Sequence, residues 1–281
     1  METRFWRLLG SSLALGAILT MALTSSSGDA NAAVFAHKYD GYLTRTYTDK
    51  QGASMTCYLY VPRNYNPRQS YPLVLLLHGG GERGEVKSTL AQNRSLLLND
   101  AYANVWSSLT VQRRWPSFIV VPQIVGTNQW VNTPSDQGSY QLASEPTGAL
   151  RLAKEIVDAL QREYQGIGSN RLYITGLSMG GYGTWDAIER WPTYFAAAAP
   201  IAGAGDPTKA SVLTQLPIWA FHGAKDVNVP VSGSRDMIQA IRAAGGQPSY
   251  TEYPQAGHDI WMQVYTSSDF LSWLFAQRAG A

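Results

Sequence analysis

The sequence predicts an α/β fold, in which helices cover both faces of a mostly parallel central sheet. The run at residues 73–77 is apolar at every position, which is typical of a strand buried on both faces. In the second half of the chain, short apolar runs alternate with longer stretches whose apolar residues recur every three or four positions. This alternation indicates parallel strands joined by crossover helices.

The predicted strands and helices follow in order along the chain. Residues 42–47 and 55–61 predict two strands joined by a turn, which add an antiparallel edge to the sheet. Further strands are predicted at residues 71–77, 118–121, 172–175, 195–201, 218–222 and 249–253. Helices are predicted at residues 145–164, 182–190, 232–244 and 263–277, and residues 95–105 also have a helical pattern.

The first 32 residues have the pattern of a secretory signal peptide. Arg4 and Arg7 precede an apolar run at residues 8–23, and an Ala-x-Ala site follows at residues 30–32. The alternative, a transmembrane anchor, needs a longer uninterrupted run. The sequence therefore predicts cleavage of residues 1–32 and a single domain at residues 33–281. It also predicts a secreted or periplasmic protein with no stable membrane insertion after cleavage.

Composition and charge exclude several classes of protein. Hydrophobic residues make up 45% of the chain and charged residues 15%, which suits a globular protein with a large core. The formal net charge of +2 provides no electrostatic basis for binding nucleic acid.

The single cysteine, Cys57, lies in an alternating strand pattern. A small buried residue is a simpler interpretation of this position than a nucleophile.

A glycine-rich pentapeptide predicts a nucleophilic serine. The segment Gly176-Leu177-Ser178-Met179-Gly180 follows a predicted strand and precedes a predicted helix. This is the context of a nucleophile elbow, a tight turn that holds a serine hydroxyl above the end of a sheet. The glycines leave room for the turn, and the N-terminus of the helix favours negative charge beside the serine. A glycine-rich turn with an incidental serine is the alternative.

A serine nucleophile needs a base, and four histidines are candidates. Where such an elbow occurs, the acid and then the histidine follow the serine along the chain, which excludes His37 and His78. His258 lies in the loop after the last predicted strand and is predicted to be the base. His222 ends an earlier strand and is predicted to brace the loop that carries the acid.

Asp226 is predicted to be the acid, because it follows the strand at residues 218–222 and lies between serine and base in the chain. Its carboxylate would accept a hydrogen bond from the second ring nitrogen of His258 and fix the tautomer of the ring. Asp206 is the alternative, but it follows the preceding strand. Asp259 adjoins His258 and is interpreted as structural.

Two backbone N–H groups are needed to stabilise the oxyanion that forms when a serine attacks a carbonyl group. Met179, directly after the serine, is predicted to supply one of them. Gly80, in the glycine run after the strand at residues 71–77, is predicted to supply the other, with Gly79 and Gly81 as alternatives. The glycines allow the backbone to approach a substrate closely.

No cofactor and no metal are predicted. The sequence contains no phosphate-binding loop, no zinc-spaced His/Glu pair and no dinucleotide fingerprint. The glycines at residues 79–81 lack the spacing and the lysine of a phosphate-binding loop.

These motifs, in this order, resemble those of the α/β-hydrolase esterases. The resemblance covers roughly residues 55–278. It rests on the segments at residues 78–84, 121–123, 176–185, 222–230 and 257–259. The branches it resembles are carboxylesterases close to the feruloyl esterases, the polyhydroxybutyrate depolymerases and the predicted peptidases of the prolyl-oligopeptidase-like group. The resemblance implies the α/β-hydrolase fold and the cleavage of carboxylic esters.

Two segments depart from the family pattern, and we expect both to border the site. Residues 85–115 form an extra segment, and residues 126–141 form a polar loop that contains Trp130. Trp130 and Trp185 are candidate substrate-binding residues, and Trp261 is a further candidate for a pocket wall. Packing in the core is an equally good interpretation of each of these tryptophans.

The leading hypothesis is a serine hydrolase that cleaves short-chain or aromatic acyl esters through an acyl-enzyme intermediate. Its expected substrates are small-molecule or polysaccharide-linked esters. A prolyl-oligopeptidase-like serine peptidase is the second hypothesis, although 281 residues leave no room for a gating domain. A non-catalytic binding protein is the weakest, because it predicts the loss of Ser178, Asp226 or His258, and all three are present.

Overall fold

A nine-stranded sheet lies at the centre of the computed structural model, which describes residues 33–36, 41–98, 101–134 and 136–280. The strands are β1 (Ala33–Ala36), β2 (Tyr42–Thr48), β3 (Ser54–Tyr60), β4 (Tyr71–Leu77), β5 (Phe118–Gln123), β6 (Ile167–Leu177), β7 (Ala197–Ile201), β8 (Trp219–Gly223) and β9 (Ser249–Tyr253). Their spatial order is β1-β2-β3-β5-β4-β6-β7-β8-β9.

The pairing of the strands confirms the predicted mostly parallel sheet with an antiparallel edge. β1 pairs with β2, β2 with β3 and β3 with β5, all in the antiparallel direction. Every pair from β5 across to β9 is parallel. The sequence did not predict β1, which extends the antiparallel edge by one strand.

Helices connect the strands and pack against the sheet. They are α1 (Leu90–Leu98), α2 (Ala101–Ser107), α3 (Leu109–Arg114), α4 (Gly148–Glu163), α5 (Met179–Arg190), α6 (Ser232–Ala243), α7 (Trp261–Tyr265) and α8 (Ser268–Ala276), with a 3₁₀ helix at Pro207–Leu213. The helical stretch predicted at residues 95–105 belongs to the separate helices α1 and α2.

The single C-terminal helix predicted at residues 263–277 is wrong, because α7 and α8 divide that region. The hydroxyl of Ser267 accepts a hydrogen bond from the N–H of Phe270 and caps the start of α8. An N-cap residue has a non-helical backbone conformation, so a continuous helix is interrupted at Ser267.

Alternate residues of β4 pack on opposite faces of the sheet. Leu73 and Leu75 join a hydrophobic cluster that includes residues of α4, while Val74 and Leu76 join a second cluster that includes residues of α8. All four side chains are buried. Burial of one such side chain contributes about 1.5–3 kcal/mol, so both faces favour apolar residues and the strand is apolar throughout.

The signal peptide predicted at residues 1–32 lies outside the described residues, and its cleavage remains a prediction. None of the helices in the described ranges is both long and apolar enough to cross a membrane.

Cys57 lies in β3 with its side chain buried, as the strand pattern predicted. Burial raises the pKa of the thiol to about 12, in spite of the nearby Arg45. The thiolate, which is the nucleophilic form, is therefore absent at neutral pH.

Candidate active site

Ser178 occupies a tight turn between β6 and α5, at the centre of the sheet. Its backbone has φ 54° and ψ −119°, a conformation that residues with a side chain rarely adopt. The flanking glycines make the turn feasible, because a Cβ on Gly180 would collide with the carbonyl group of Leu77 and one on Gly176 with the carbonyl group of Gly180. The local sequence thus holds Ser178 at the carboxyl end of β6.

A chain of hydrogen bonds joins Ser178 to His258 and Asp226. The Nε2 atom of His258 lies 2.9 Å from the Oγ atom of Ser178. The Nδ1 atom of His258 lies 2.7 Å from the Oδ2 atom of Asp226. The three residues follow β6, β8 and β9, and parallel strands present their carboxyl ends at the same edge of the sheet. This shared edge brings together residues 80 positions apart in the sequence.

The two other aspartates weighed as acids lie elsewhere. Asp206 caps the 3₁₀ helix through an N–H···Oδ1 bond of 3.0 Å from Thr208, and its Oδ2 atom accepts a bond of 2.8 Å from the N–H of Leu142. Asp259 is exposed. Asp226 is the aspartate that the described structure places against the ring of His258.

The side chain of Asp226 is buried but well supplied with hydrogen-bond donors. Its Oδ1 atom accepts bonds from the backbone N–H groups of Asn228, at 2.8 Å, and Val229, at 2.9 Å. Burial alone would raise the pKa of this carboxyl group, but the hydrogen bonds from His222, His258 and the two N–H groups outweigh it. The net pKa lies well below its ordinary value, so the group is a carboxylate at neutral pH.

His222 provides a second contact to the same carboxylate. Its Nε2 atom lies 3.3 Å from the Oδ2 atom of Asp226 and 3.1 Å from the carbonyl oxygen of Val229. Both partners accept hydrogen bonds, so Nε2 must carry a proton. The Nδ1 atom lies 2.8 Å from the hydroxyl of Ser234, and the ring is completely buried. His222 therefore joins the acid loop to α6, which agrees with the bracing inferred from the sequence.

The chemistry available to this arrangement is activation of a hydroxyl group. Since Asp226 is ionised, it accepts the proton on Nδ1 of His258, and Nε2 is left as an acceptor facing Ser178. Across the described ranges, no three or more His, Cys, Asp or Glu side chains are grouped so that they could hold a metal ion.

The two predicted N–H donors lie at neighbouring strand ends. Met179 is the first residue of α5, and the N–H groups of the first turn of a helix have no intrahelical acceptor. Gly80 is exposed in the loop after β4, where an added Cβ would meet no atom within 4 Å. β4 and β6 are adjacent in the sheet, so the glycine run and the Ser178 turn leave neighbouring strands at the same end of the sheet.

His78 holds the loop that contains Gly80. Its Nε2 atom accepts a hydrogen bond of 3.0 Å from the N–H of Ile124, so the ring proton is on Nδ1 and is donated to the carbonyl oxygen of Gly79 at 2.6 Å. The carbonyl oxygen of His78 accepts a bond of 2.9 Å from the indole N–H of Trp130. These contacts tie the glycine run to the loop after β5.

The buried His78 predicts a loss of stability in acid. Burial lowers the pKa of His78 to about 4, while the unfolded ring titrates near its ordinary pKa of about 6.5. The unfolded chain therefore binds a proton first, and the stabilisation present above pH 6.5 is lost as the pH falls towards 4. We expect the free energy of unfolding to fall by about 3 kcal/mol from this group.

Urea denaturation of the wild type and of His78→Asn at pH 4.5 and pH 7 measures this effect. Asparagine can place a donor near the position of Nδ1, lacks an acceptor at the position of Nε2, and does not titrate in this range. The variant should be less stable at pH 7 and lose less stability in acid. An equal loss in both proteins would contradict the assignment.

Trp130 and Trp185 lie in the core and are not exposed beside Ser178. Both side chains are completely buried in the hydrophobic core, with no surface left to touch a substrate. The indole of Trp130 packs against the ring of His78 as well as bonding to its carbonyl oxygen. The expectation that these two residues bind substrate is therefore corrected: they fill the core, and Trp130 supports the glycine loop.

Trp261 is the tryptophan that lies beside the site. Its ring centroid is 5.6 Å from that of His258, and the two planes are nearly perpendicular, at 84°. The side chain is partly exposed. From the sequence, Trp261 was one of three candidate tryptophans, and nothing distinguished it from Trp130 and Trp185. Its position three residues after His258 was the available signal.

The two segments that depart from the family pattern meet at the carboxyl ends of β4 and β5. The N–H of Gly84 donates to the carbonyl oxygen of Ile124 at 2.8 Å, and the N–H of Gly126 donates to the carbonyl oxygen of Gly84 at 2.8 Å. Both segments thus begin at the edge of the sheet that carries Ser178.

The fold and the hydrogen-bonded serine, histidine and aspartate define an α/β-hydrolase of the serine type. Residues 48–272 match the family described as "Putative esterase", and the chain belongs to that family. This membership places it in the class of serine carboxylic-ester hydrolases. A solved structure of a thermostable esterase is similar over 89% of this chain and 72% of its own, with 33% sequence identity and a TM-score of 0.74.

Two relatives match part of the chain at lower identity. The bifunctional acetylxylan esterase/xylanase XynS20E of Neocallimastix patriciarum is 28% identical over 180 residues, which are 64% of this chain and 22% of that protein. Carboxylesterase SOBER1 of Arabidopsis thaliana is 26% identical over 205 residues, which are 66% of this chain and 83% of that protein. The chain therefore spans less than a quarter of the first relative.

Proposed function

We propose that this protein hydrolyses carboxylic esters, with Ser178 as the nucleophile, His258 as general base and acid, and Asp226 as the residue that orients His258. One observation carries the proposal: an unbroken chain of hydrogen bonds from Oδ2 of Asp226 through both ring nitrogens of His258 to Oγ of Ser178. Membership of an esterase family supports the choice of an ester bond.

Acylation begins when Nε2 of His258 takes the proton of Ser178 and Oγ attacks the ester carbonyl carbon. The carbonyl electrons move to oxygen and form an oxyanion. When the oxyanion collapses, the bond to the alkoxy group breaks, and that group takes the proton from Nε2 and leaves as the alcohol. The acyl group remains bonded to Oγ of Ser178.

Deacylation repeats these steps with water. Nε2 of His258 takes a proton from water, and the water oxygen attacks the acyl carbon. The bond to Ser178 then breaks, Oγ recovers the proton from Nε2, and the carboxylic acid leaves. Asp226 stays ionised throughout, because its pKa is low, and it stabilises each transient imidazolium.

The oxyanion is proposed to bind the N–H groups of Met179 and Gly80. The first belongs to the uncapped N-terminus of α5, whose dipole also favours negative charge. The second lies in the loop that His78 and Trp130 hold in place. Fixed donors stabilise developing charge without having to reorganise during the reaction.

The substrates are proposed to be short-chain or aromatic acyl esters, either small molecules or esters linked to a polysaccharide. Trp261 supports the aromatic class, since its partly exposed ring offers a flat apolar surface beside His258. The name of one relative, an acetylxylan esterase/xylanase, supports the polysaccharide class.

We also propose that residues 1–32 are removed on export and that residues 33–281 form one catalytic domain in a secreted or periplasmic protein. The charged start, the apolar run and the Ala-x-Ala site support this. In addition, β1 begins at Ala33, directly after the proposed cleavage site.

A substrate panel tests the proposed function. We expect p-nitrophenyl acetate, methyl ferulate and acetylated xylan to be hydrolysed, and matched p-nitroanilides to be hydrolysed far more slowly. The reason is that an amine is a poorer leaving group than an alkoxide. Trp261→Ala should lower kcat/KM for methyl ferulate about tenfold, since one aromatic pair contributes about 0.5–1.5 kcal/mol beyond its buried area.

Trp273→Ala is the matched control. Trp273 is also partly buried, but it lies beside Ile218 and Ser249 at the amino ends of β8 and β9. Ser178 lies at the carboxyl ends of the strands. Equal rates on esters and anilides would instead indicate a peptidase. An unchanged preference for methyl ferulate in Trp261→Ala would remove Trp261 from the substrate site.

A further inference from the structure

A groove of ≈ 570 Å³ lies at the carboxyl end of β5, and its lining includes none of the three hydrogen-bonded residues Ser178, His258 and Asp226. The β2–β3 hairpin, the loop after β5 and the first turn of α4 form its walls. Its volume falls in the range of about 300–1,000 Å³ that is common for small-molecule sites. Neither the triad nor the oxyanion donors use this groove.

The lining of the groove is amphipathic. Its floor is apolar and is made by Met55, Ile124 and Leu152, all buried. Its rim carries the exposed amide side chains of Asn128, Gln129 and Asn132, together with serine and threonine hydroxyls. Amides and hydroxyls can each donate and accept hydrogen bonds. A ligand that fits has an apolar face and an edge of groups that donate and accept.

The groove carries no charge. No lining side chain within the described residues is acidic or basic. Arg45 and Arg151 adjoin lining residues in the sequence, and each is paired with a carboxylate at 2.7 Å, Arg45 with Glu163 and Arg151 with Asp49. Burying an unpaired charge is unfavourable. A charged ligand would meet no side chain of opposite charge in this lining, so its binding here is disfavoured. A neutral polyhydroxyl compound is compatible, and a sugar ring combines a C–H face with a hydroxyl edge.

The groove lies close to the ester-cleaving site. Neighbouring strands are about 4.8 Å apart, and only β4 separates β5 from β6, so the end of β5 lies about 10 Å from that of β6. Ile124 links the two regions, because it lines the groove and its N–H bonds to His78. A polymer in the groove can therefore place an ester on a neighbouring unit over Ser178.

We propose that this groove binds neutral sugar units of a polysaccharide whose acyl group is cleaved at Ser178. The inference rests on the proposed function and gives the substrate a second binding region besides the site at Ser178. In this arrangement the groove recognises the carbohydrate, and the site at Ser178 needs to recognise only the ester. Polymer-linked esters then gain affinity that small aryl esters lack.

Kinetics of the double variant Gln129→Ala/Asn132→Ala test the proposal. We expect the ratio of kcat/KM for acetylated xylotetraose to kcat/KM for p-nitrophenyl acetate to fall about tenfold, because each neutral hydrogen bond contributes roughly threefold. Gln215→Ala removes an exposed amide at the opposite edge of the sheet and should leave the ratio unchanged. An unchanged ratio in the double variant overturns the proposal.

Methyl NMR gives a direct readout of binding. In the full-length Ser178→Ala protein labelled with [methyl-¹³C]methionine, unesterified xylotetraose should shift the Met55 signal in a saturable way. The buried Met237 methyl should not move. A Met55 signal that stays unchanged at millimolar xylotetraose overturns the groove assignment, as does an equal response to the anionic trisaccharide of galacturonic acid.

The two proposals fail in different ways. If Met55 does not respond but the wild type still hydrolyses p-nitrophenyl acetate and Ser178→Ala does not, only the groove assignment is wrong. If Ser178→Ala hydrolyses p-nitrophenyl acetate like the wild type, the proposed function itself is wrong.

Discussion

Ser178→Ala is expected to abolish ester hydrolysis while the protein stays folded. Without Oγ no acyl-enzyme can form, and removal of a serine nucleophile typically lowers kcat on the order of 10⁵–10⁶-fold. The fold should persist, because the Ser178 hydroxyl makes no capping bond to α5 and its described hydrogen bond is to His258 alone. Initial rates on p-nitrophenyl acetate and a thermal melt of each protein measure the two effects.

Covalent labelling provides the second half of this test. An organophosphonate should modify the wild type once, on the peptide that contains Ser178, and should leave Ser178→Ala unmodified. Ser211→Ala, which changes an exposed serine in the 3₁₀ helix, is the control and should be labelled and active like the wild type. Retained activity in Ser178→Ala, or labelling at another serine, would show that Ser178 is not the nucleophile.

Asp226→Asn is expected to lower kcat about 10³–10⁴-fold. In the variant, the amide oxygen can still accept hydrogen bonds from the N–H groups of Asn228 and Val229. The amide NH₂ group then faces His258. The ring must then accept at Nδ1 and carry its proton on Nε2, where it can no longer take the proton of Ser178. The loss arises from the wrong tautomer, so KM should change much less than kcat.

Asp206→Asn separates this effect from a general response to losing a buried carboxylate. Asp206 caps the 3₁₀ helix and also accepts the N–H of Leu142, so its replacement should lower the melting temperature. Activity at 25 °C should remain within about threefold of the wild type, since no atom of Asp206 contacts the triad. The reverse result, with Asp206→Asn inactive and Asp226→Asn nearly normal, would exchange the roles of the two residues.

The sequence alone determined the mostly parallel character of the sheet and the positions of the proposed catalytic residues along the chain. Residues 73–77 had to form a doubly buried strand, because an apolar residue at every position is unfavourable on any exposed face. Ser178 could be located because its strained turn needs glycine at positions 176 and 180, which is a local requirement visible in the sequence. Asp226 and His258 could be located because both follow predicted strands, and parallel strands end at one edge.

The tertiary structure decided which way the remaining side chains face. Trp130 lies in a polar loop, yet its indole is buried because it reaches His78, 52 residues away, while Trp261 remains at the surface beside His258. The contact of His222 with Asp226 and the groove beside β5 likewise depend on segments that are distant in the chain. Periodicity and turn residues report local backbone geometry. The partner of a buried side chain depends on how the elements pack, which no single segment encodes.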